Sequence, residues 1–253
     1  MSTYYRTKGF VLSKYDAREA DQIFDIYTED FGKLKILAKA IRKIKSKLRP
    51  GTELFYLSKV EFIQGRTFKT LTDAVVIEKF KNIRNDFEKL KIAYQIIEVS
   101  NSLIKGQEKD EKIFNLLNET FNKLNNCSLF IVHCSLIYYY FLWNLISILG
   151  YRIDLYNCAF CQKKLLPQKL YFSLKEKGII CPQCLSPEVP LSGTETGKKE
   201  VSPEVIKILR IFLKKDWPTL LRLKIDEPYK KSLKSISEDY LFYLEEKNQS
   251  QTS

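Results

Sequence analysis

IFDIYTEDFGKLKILAKA, residues 23–40, reads as two strands joined by a turn. Ile23–Thr28 is β-branched and aromatic, Asp30-Phe31-Gly32 carries turn chemistry, and the KLKILAKA run alternates basic and apolar residues. A period of two on either side of a glycine-containing turn marks a β-hairpin. Upstream, an apolar run begins at Phe10, Val11 and Leu12. Downstream, Pro50-Gly51 breaks the chain. Two further apolar runs follow, TELFYLSKVEFI and TFKTLTDAVVI, separated by Gln64-Gly65-Arg66. Several short strands with regular turns predict a small closed barrel or sandwich over residues 1–80.

Beyond residue 80 the period changes. Ile83, Phe87, Leu90, Tyr94 and Ile97 fall on one helical face, and Gly106 marks the end of that helix. Asp110 can cap a second helix bearing Ile113, Leu117, Phe121 and Leu124. A third, from about 128 to 149, is apolar on all sides. Its core, LFIVHCSLIYYYFLWNLISIL (129–149), is long enough to span a bilayer. His133, Asn144 and three consecutive tyrosines would lack partners in lipid, so a buried helix is expected and no membrane. Ser202-Pro203-Glu204 starts a helix with Val205, Ile208, Leu209 and Phe212 as its apolar stripe. A last helix, about 229–246, buries Leu233, Ile236, Tyr240 and Leu244, and the NQSQTS tail is expected to fray.

The chain has 253 residues and a net charge of +12, with 45% hydrophobic and 28% charged residues. That is a globular composition with a basic surface, which attracts polyanions. The cations are concentrated in KLKILAKAIRKIKSKLR, residues 33–49, which holds eight basic residues and no acid. Lys33, Lys35 and Lys39 can share a strand face, while Arg42, Lys43, Lys45, Lys47 and Arg49 fall in a loop or short helix before Pro50. A row of cations on a barrel edge can track a phosphate backbone, with Tyr27, Phe31 and Phe68 as candidate stacking residues or core.

MSTYYRTKGF shows no signal peptide, so a reducing cytoplasmic compartment is expected, where paired cysteines suggest metal before disulfides. Cys158-x-x-Cys161 and Cys181-x-x-Cys184 are separated by nineteen residues. Four thiolates close a tetrahedral Zn2+ site with no position left for water, so one structural ion per chain is expected. Gly178 and Pro182 are read as permitting tight turns around the thiolates. A thioredoxin-type reading of CPQC leaves the first pair unexplained. Deaminase chemistry needs a His-x-Glu that is absent, since the one histidine, His133, precedes Cys134 and Ser135. GTETGKKE (193–200) has three residues between its glycines where a phosphate loop has four, and Lys199 stands in place of the magnesium-binding hydroxyl.

Taken together these stretches resemble the RecO family of recombination mediators. KGFVLSKYDAREADQIFDIYTEDFGKLKILAKAIRKIKSKLRPG resembles the family's opening in order and spacing, including the Arg18–Asp21 turn. LGYRIDLYNCAFC and ICPQC resemble its zinc segment, and VSPEVIKILRIFL and KSLKSISEDYL its later helices. Ala40 stands where the family often has glycine. The resemblance implies an α+β chain: an OB-fold barrel over 1–80, then a helical domain over 81–253 with an embedded four-cysteine zinc knuckle at about 151–200. It implies a non-enzymatic, nucleoid-associated repair protein that binds single- and double-stranded DNA and anneals complementary strands. The implied partners are RecR, the C-terminal tail of single-strand binding protein and, indirectly, RecA. A zinc-ribbon transcription or RNA-processing factor shares the charge and the cysteines, but the barrel-then-helices order favours the mediator.

Overall fold

A computed structural model describes residues 3–65, 67–127, 134–185 and 198–250. The chain forms two compact units, Met1–Phe130 and Ile131–Ser253.

The first unit is built on five strands: β1 (Tyr4–Asp16), β2 (Gln22–Thr28), β3 (Gly32–Ala38), β4 (Leu57–Gln64) and β5 (Lys69–Glu78). They close into a barrel in the order β1-β2-β3-β5-β4, antiparallel except where β3 meets β5. This is the expected OB-type barrel, and closure leaves no unpaired edge. The β2–β3 hairpin pairs Thr28 with Gly32, whose φ of +62° only glycine adopts cheaply. A Cβ there would also strike the Glu108 carbonyl. Val11, Phe24, Ile26, Leu34, Ile36 and Phe62 fill the barrel interior.

On β1 the buried run continues through Phe10 and Leu12, which point the other way from Val11, so helices cover part of the barrel's outside. Those helices are a single turn α1 (Lys81–Arg84), α2 (Phe87–Leu103) and α3 (Glu111–Asn126). Phe10, Phe80, Phe114 and Phe121 form one ring cluster between barrel and helices. Residue 80 therefore marks the change from strand to helix, whereas the compact units divide after α3. Asp110 caps α3 as expected, accepting from the Lys112 and Ile113 amides, and Ile113, Leu117, Phe121 and Leu124 are buried.

The face expected for α2 is corrected. Asp86 accepts from the Lys89 amide and starts a new helix, so the phase shifts. Phe87 is 78% exposed and Tyr94 47%, while Ile92, Ala93, Ile96 and Leu103 are buried.

The second unit contains α4 (Cys134–Ile148), a small sheet β7-β6-β8 made from β6 (Leu170–Ser173), β7 (Gly178–Ile180) and β8 (Lys198–Val201), then α5 (Pro203–Lys214), α6 (Trp217–Arg222) and α7 (Glu227–Ser250). Two buried polar side chains of α4 are satisfied: the Trp143 indole donates to Ser237 Oγ, and the Asn144 amide donates to the Tyr140 and Phe212 carbonyls. Among the described residues no helix is long and apolar enough to cross a membrane. His133 lies outside the described residues, as do residues 193–197 of GTETGKKE. Ser202 caps α5 through the Val205 amide, as the sequence predicts. α7 runs through Asn248, so the first residues of the expected frayed tail are helical, and α6 was not anticipated.

Candidate nucleic-acid interface and metal centre

The basic run begins on β3 and leaves the barrel at Ala38. Lys39 to Leu48 form a turn-rich loop that ends in a 3-10 turn, Arg49–Gly51. Lys39, Arg42, Lys43, Lys45, Lys47 and Arg49 are all exposed. The loop is pinned at its root. The Ala40 amide donates to Asp21 Oδ1 at 2.7 Å, and the Arg42 amide to the Ala20 carbonyl. Ala40 sits at φ +53°, so this alanine carries the left-handed conformation that glycine would adopt more cheaply.

The eight cations are not equivalent. Lys33 is turned away from solvent: its ammonium donates to the carbonyls of Asn101 (2.9 Å) and Ile104 (3.4 Å), tying down the C-terminus of α2. Burial lowers its pKa. It is thus a structural lysine, apart from the expected contact row. Lys35 is exposed on the same face, 5.6 Å from the centre of the Tyr15 ring, and hydrogen bonding to Tyr15 raises its pKa. Arg42 pairs with Asp16 at 3.1 Å, and Lys14 with Glu53 at 2.8 Å. Arg42, Arg49 and Lys14 line a hollow of about 330 Å3 beneath the loop. No ion pair to Lys39, Lys43, Lys45, Lys47 or Arg49 is found among the described residues.

The aromatic candidates separate as well. Tyr27 is fully buried with its hydroxyl on the Asp110 carbonyl, and the Phe31 ring packs on Tyr5 and Phe62, so both belong to the core. Phe68 is 39% exposed. Tyr15, which sequence reasoning passed over, is exposed beside Lys35.

In the second unit all four cysteine sulfurs of Cys158, Cys161, Cys181 and Cys184 lie within 4.8 Å of one another. Two loops are joined to achieve this: the Ala159 amide donates to the Ile179 carbonyl at 2.8 Å, and the Cys181 amide to Cys158 Sγ at 3.4 Å. Gly178 is needed for contact and not for a turn, since a Cβ there would lie 2.9 Å from the Ala159 Cβ. The left-handed backbone is carried instead by Gln162, at φ +59°, and Lys177, at φ +47°. Burial opposes ionisation of Cys158, but amide donors from Cys181, Cys161 and Phe160 outweigh it and lower the thiol to about 6. Hydrogen bonding to Cys181, then burial, pushes Cys184 up to about 12. Four sulfurs this close cannot all ionise alone; a cation at their centre removes the conflict. The donor set is therefore fit for one soft-ligand metal ion in a closed site.

Barrel and tetrathiol cluster together define the class, an OB-type barrel protein with a compact four-cysteine site. Sequence comparison agrees along nearly the whole chain. The family model described as "Recombination protein O N terminal" matches residues 1–80, and that described as "Recombination protein O C terminal" matches 84–251. The DNA repair protein RecO of Dehalococcoides mccartyi (strain 195) is 33% identical over 88% of this chain and 83% of its own length. The RecO of Acetivibrio thermocellus is 28% identical over 97% of this chain and 93% of its own, and that of Halalkalibacterium halodurans 24% over 94% and 88%. The chain belongs to the RecO family of DNA repair proteins.

Proposed function

We propose that this chain is a recombination mediator that binds single- and double-stranded DNA, anneals complementary strands and, with RecR, helps load RecA onto strands coated by single-strand binding protein. The observation that carries the reading is the exposed loop from Lys39 to Arg49, rooted on a closed barrel, with one ion pair along its length among the described residues, Arg42 to Asp16. Such a loop contacts phosphates without reading bases, and counterion release drives binding. Lys35, Lys39, Arg42, Lys43, Lys45, Lys47 and Arg49 are the proposed DNA contacts, and Lys33 holds α2.

We assign the cluster of Cys158, Cys161, Cys181 and Cys184 one structural Zn2+. Four thiolates leave the ion no open position, so it stabilises the fold and performs no chemistry. We ascribe no catalysis to the chain; the convergence of all four sulfurs favours a metal site over a redox role for CPQC. Contact with the tail of single-strand binding protein, and action in the cytoplasm at the nucleoid, complete the proposal.

The test is annealing of complementary strands precoated with single-strand binding protein. The wild-type chain accelerates annealing, and a variant with Lys43, Lys45 and Lys47 changed to glutamine loses most of that acceleration at unchanged melting temperature. A wild-type chain without effect on coated strands contradicts the mediator reading.

A further inference from the structure

The three strands β1, β2 and β3 present an outer face that the helices only partly cover. At one end it is closed: Tyr27 lies under the start of α3, and Lys33 is bound to the end of α2. Midway, Ser13, Asp25 and Lys35 lie in register, and the Ser13 hydroxyl donates to the Asp25 carboxylate at 2.7 Å. At the open end Tyr15 pairs with Ile23, and Ile23 with Leu37. Directly paired residues point to the same side of a sheet, so these three side chains form one apolar strip across three strands. Tyr15 is 38% exposed, and Ile23 and Leu37 are half-buried.

Lys35 borders this strip, with the Asp25 carboxylate beside it on β2. The Lys35 ammonium reaches diagonally to within 5.6 Å of the Tyr15 ring centre. Lys39, which opens the basic loop, follows Leu37 by two residues. A flat ring, a small apolar floor and a cation 5.6 Å from the ring centre suit a nucleobase with its phosphate. A protein surface would fit this strip less well, because the apolar area is one side chain wide and ringed by charge. In a duplex the bases are stacked and their flat faces are closed to such a ring.

We propose that Tyr15, Ile23 and Leu37, with Lys35, form a stacking platform for an unpaired base, which makes this barrel face selective for single strands over duplex. The proposal rests on the DNA-binding reading of the basic loop and adds to it a residue that discriminates between the two forms of DNA. The loop cations serve both forms; Tyr15 serves one.

The experiment uses the full chain as wild type, Tyr15→Ala and Tyr15→Phe. Each is titrated, by fluorescence anisotropy, into an oligothymidylate holding one 2-aminopurine and into a blunt duplex of equal length. Tyr15→Ala weakens single-strand binding about tenfold. It leaves duplex binding within about twofold, because the phosphate contacts remain. It also abolishes the 2-aminopurine quenching seen with wild type, whereas Tyr15→Phe retains both affinity and quenching. Equal loss on both DNAs, or no loss on either, overturns the platform while leaving the basic-loop reading intact. A wild-type chain that binds neither DNA overturns both. Unchanged DNA affinity with an altered sedimentation coefficient of the free protein assigns the face to a second copy of the chain and overturns the proposal.

Discussion

The barrel and the cysteine segment solve the same problem, ordering a stretch rich in loops, by different means. The barrel closes its hydrogen-bonded ladder on itself and fills the inside with apolar side chains, so its order comes from packing. The segment from Ile153 to Cys184 has two strands of four and three residues and joins its two cysteine loops through a few backbone hydrogen bonds. Its four sulfurs converge on a site fit for an ion, whose binding would be linked to folding. The two regions therefore tolerate change differently. A long cationic loop can sit on a packed barrel with little effect on its stability, whereas a cysteine site has no spare ligand.

The strongest challenge to that contrast is metal removal. Chelation, or Cys158→Ser or Cys181→Ser, should destabilise the second unit by several kcal/mol, because binding of a structural ion is coupled to folding. The first unit should keep its own transition, so calorimetry should show one transition lowered and one unmoved. Both transitions unmoved in chelator would mean that packing alone orders the cysteine segment.

Next in size is Lys33. Lys33→Met removes two hydrogen bonds to the end of α2 and should cost about 1–3 kcal/mol in urea unfolding. DNA affinity and its salt dependence should stay at wild-type values. A stability near wild type with weakened DNA binding would return Lys33 to the contact row.

The smallest effect is expected at Ala40. Ala40→Gly relieves a left-handed backbone at φ +53°, partly offset by the freedom glycine gains in the unfolded chain. A gain of about 0.5–1 kcal/mol, visible as a rise in melting temperature, is expected. A loss would show that the loop root prefers alanine for reasons beyond backbone strain.

Much of this architecture was legible because it is written in local signals. The β2–β3 hairpin follows from its alternation and Gly32, and the starts of α3 and α5 from Asp110 and Ser202. The cysteine cluster follows from spacing, since two chelating pairs on a loop have one economical arrangement. What escaped depends on partners distant in the chain. The phase of α2 was set by Asp86, whose cap splits an apparently continuous pattern into two helices. Lys33 and Lys35 look identical on an alternating strand, yet only Lys33 meets a helix terminus sixty-eight residues away. Tyr15 was hidden by a bulge between Val11 and Ser13 that breaks the alternation of β1, so its face could not be read by parity.

The DNA-binding proposal has the exposed cations of the loop after β3 grip the sugar-phosphate chain. The most direct test is the slope of log Kobs against log salt for single-stranded DNA, wild type against the Lys43, Lys45 and Lys47 triple glutamine variant. Each phosphate contact on a single strand contributes about 0.7 to that slope, so three lost contacts should flatten it by about 2. A variant slope equal to that of wild type would place the DNA elsewhere on the chain and contradict the account.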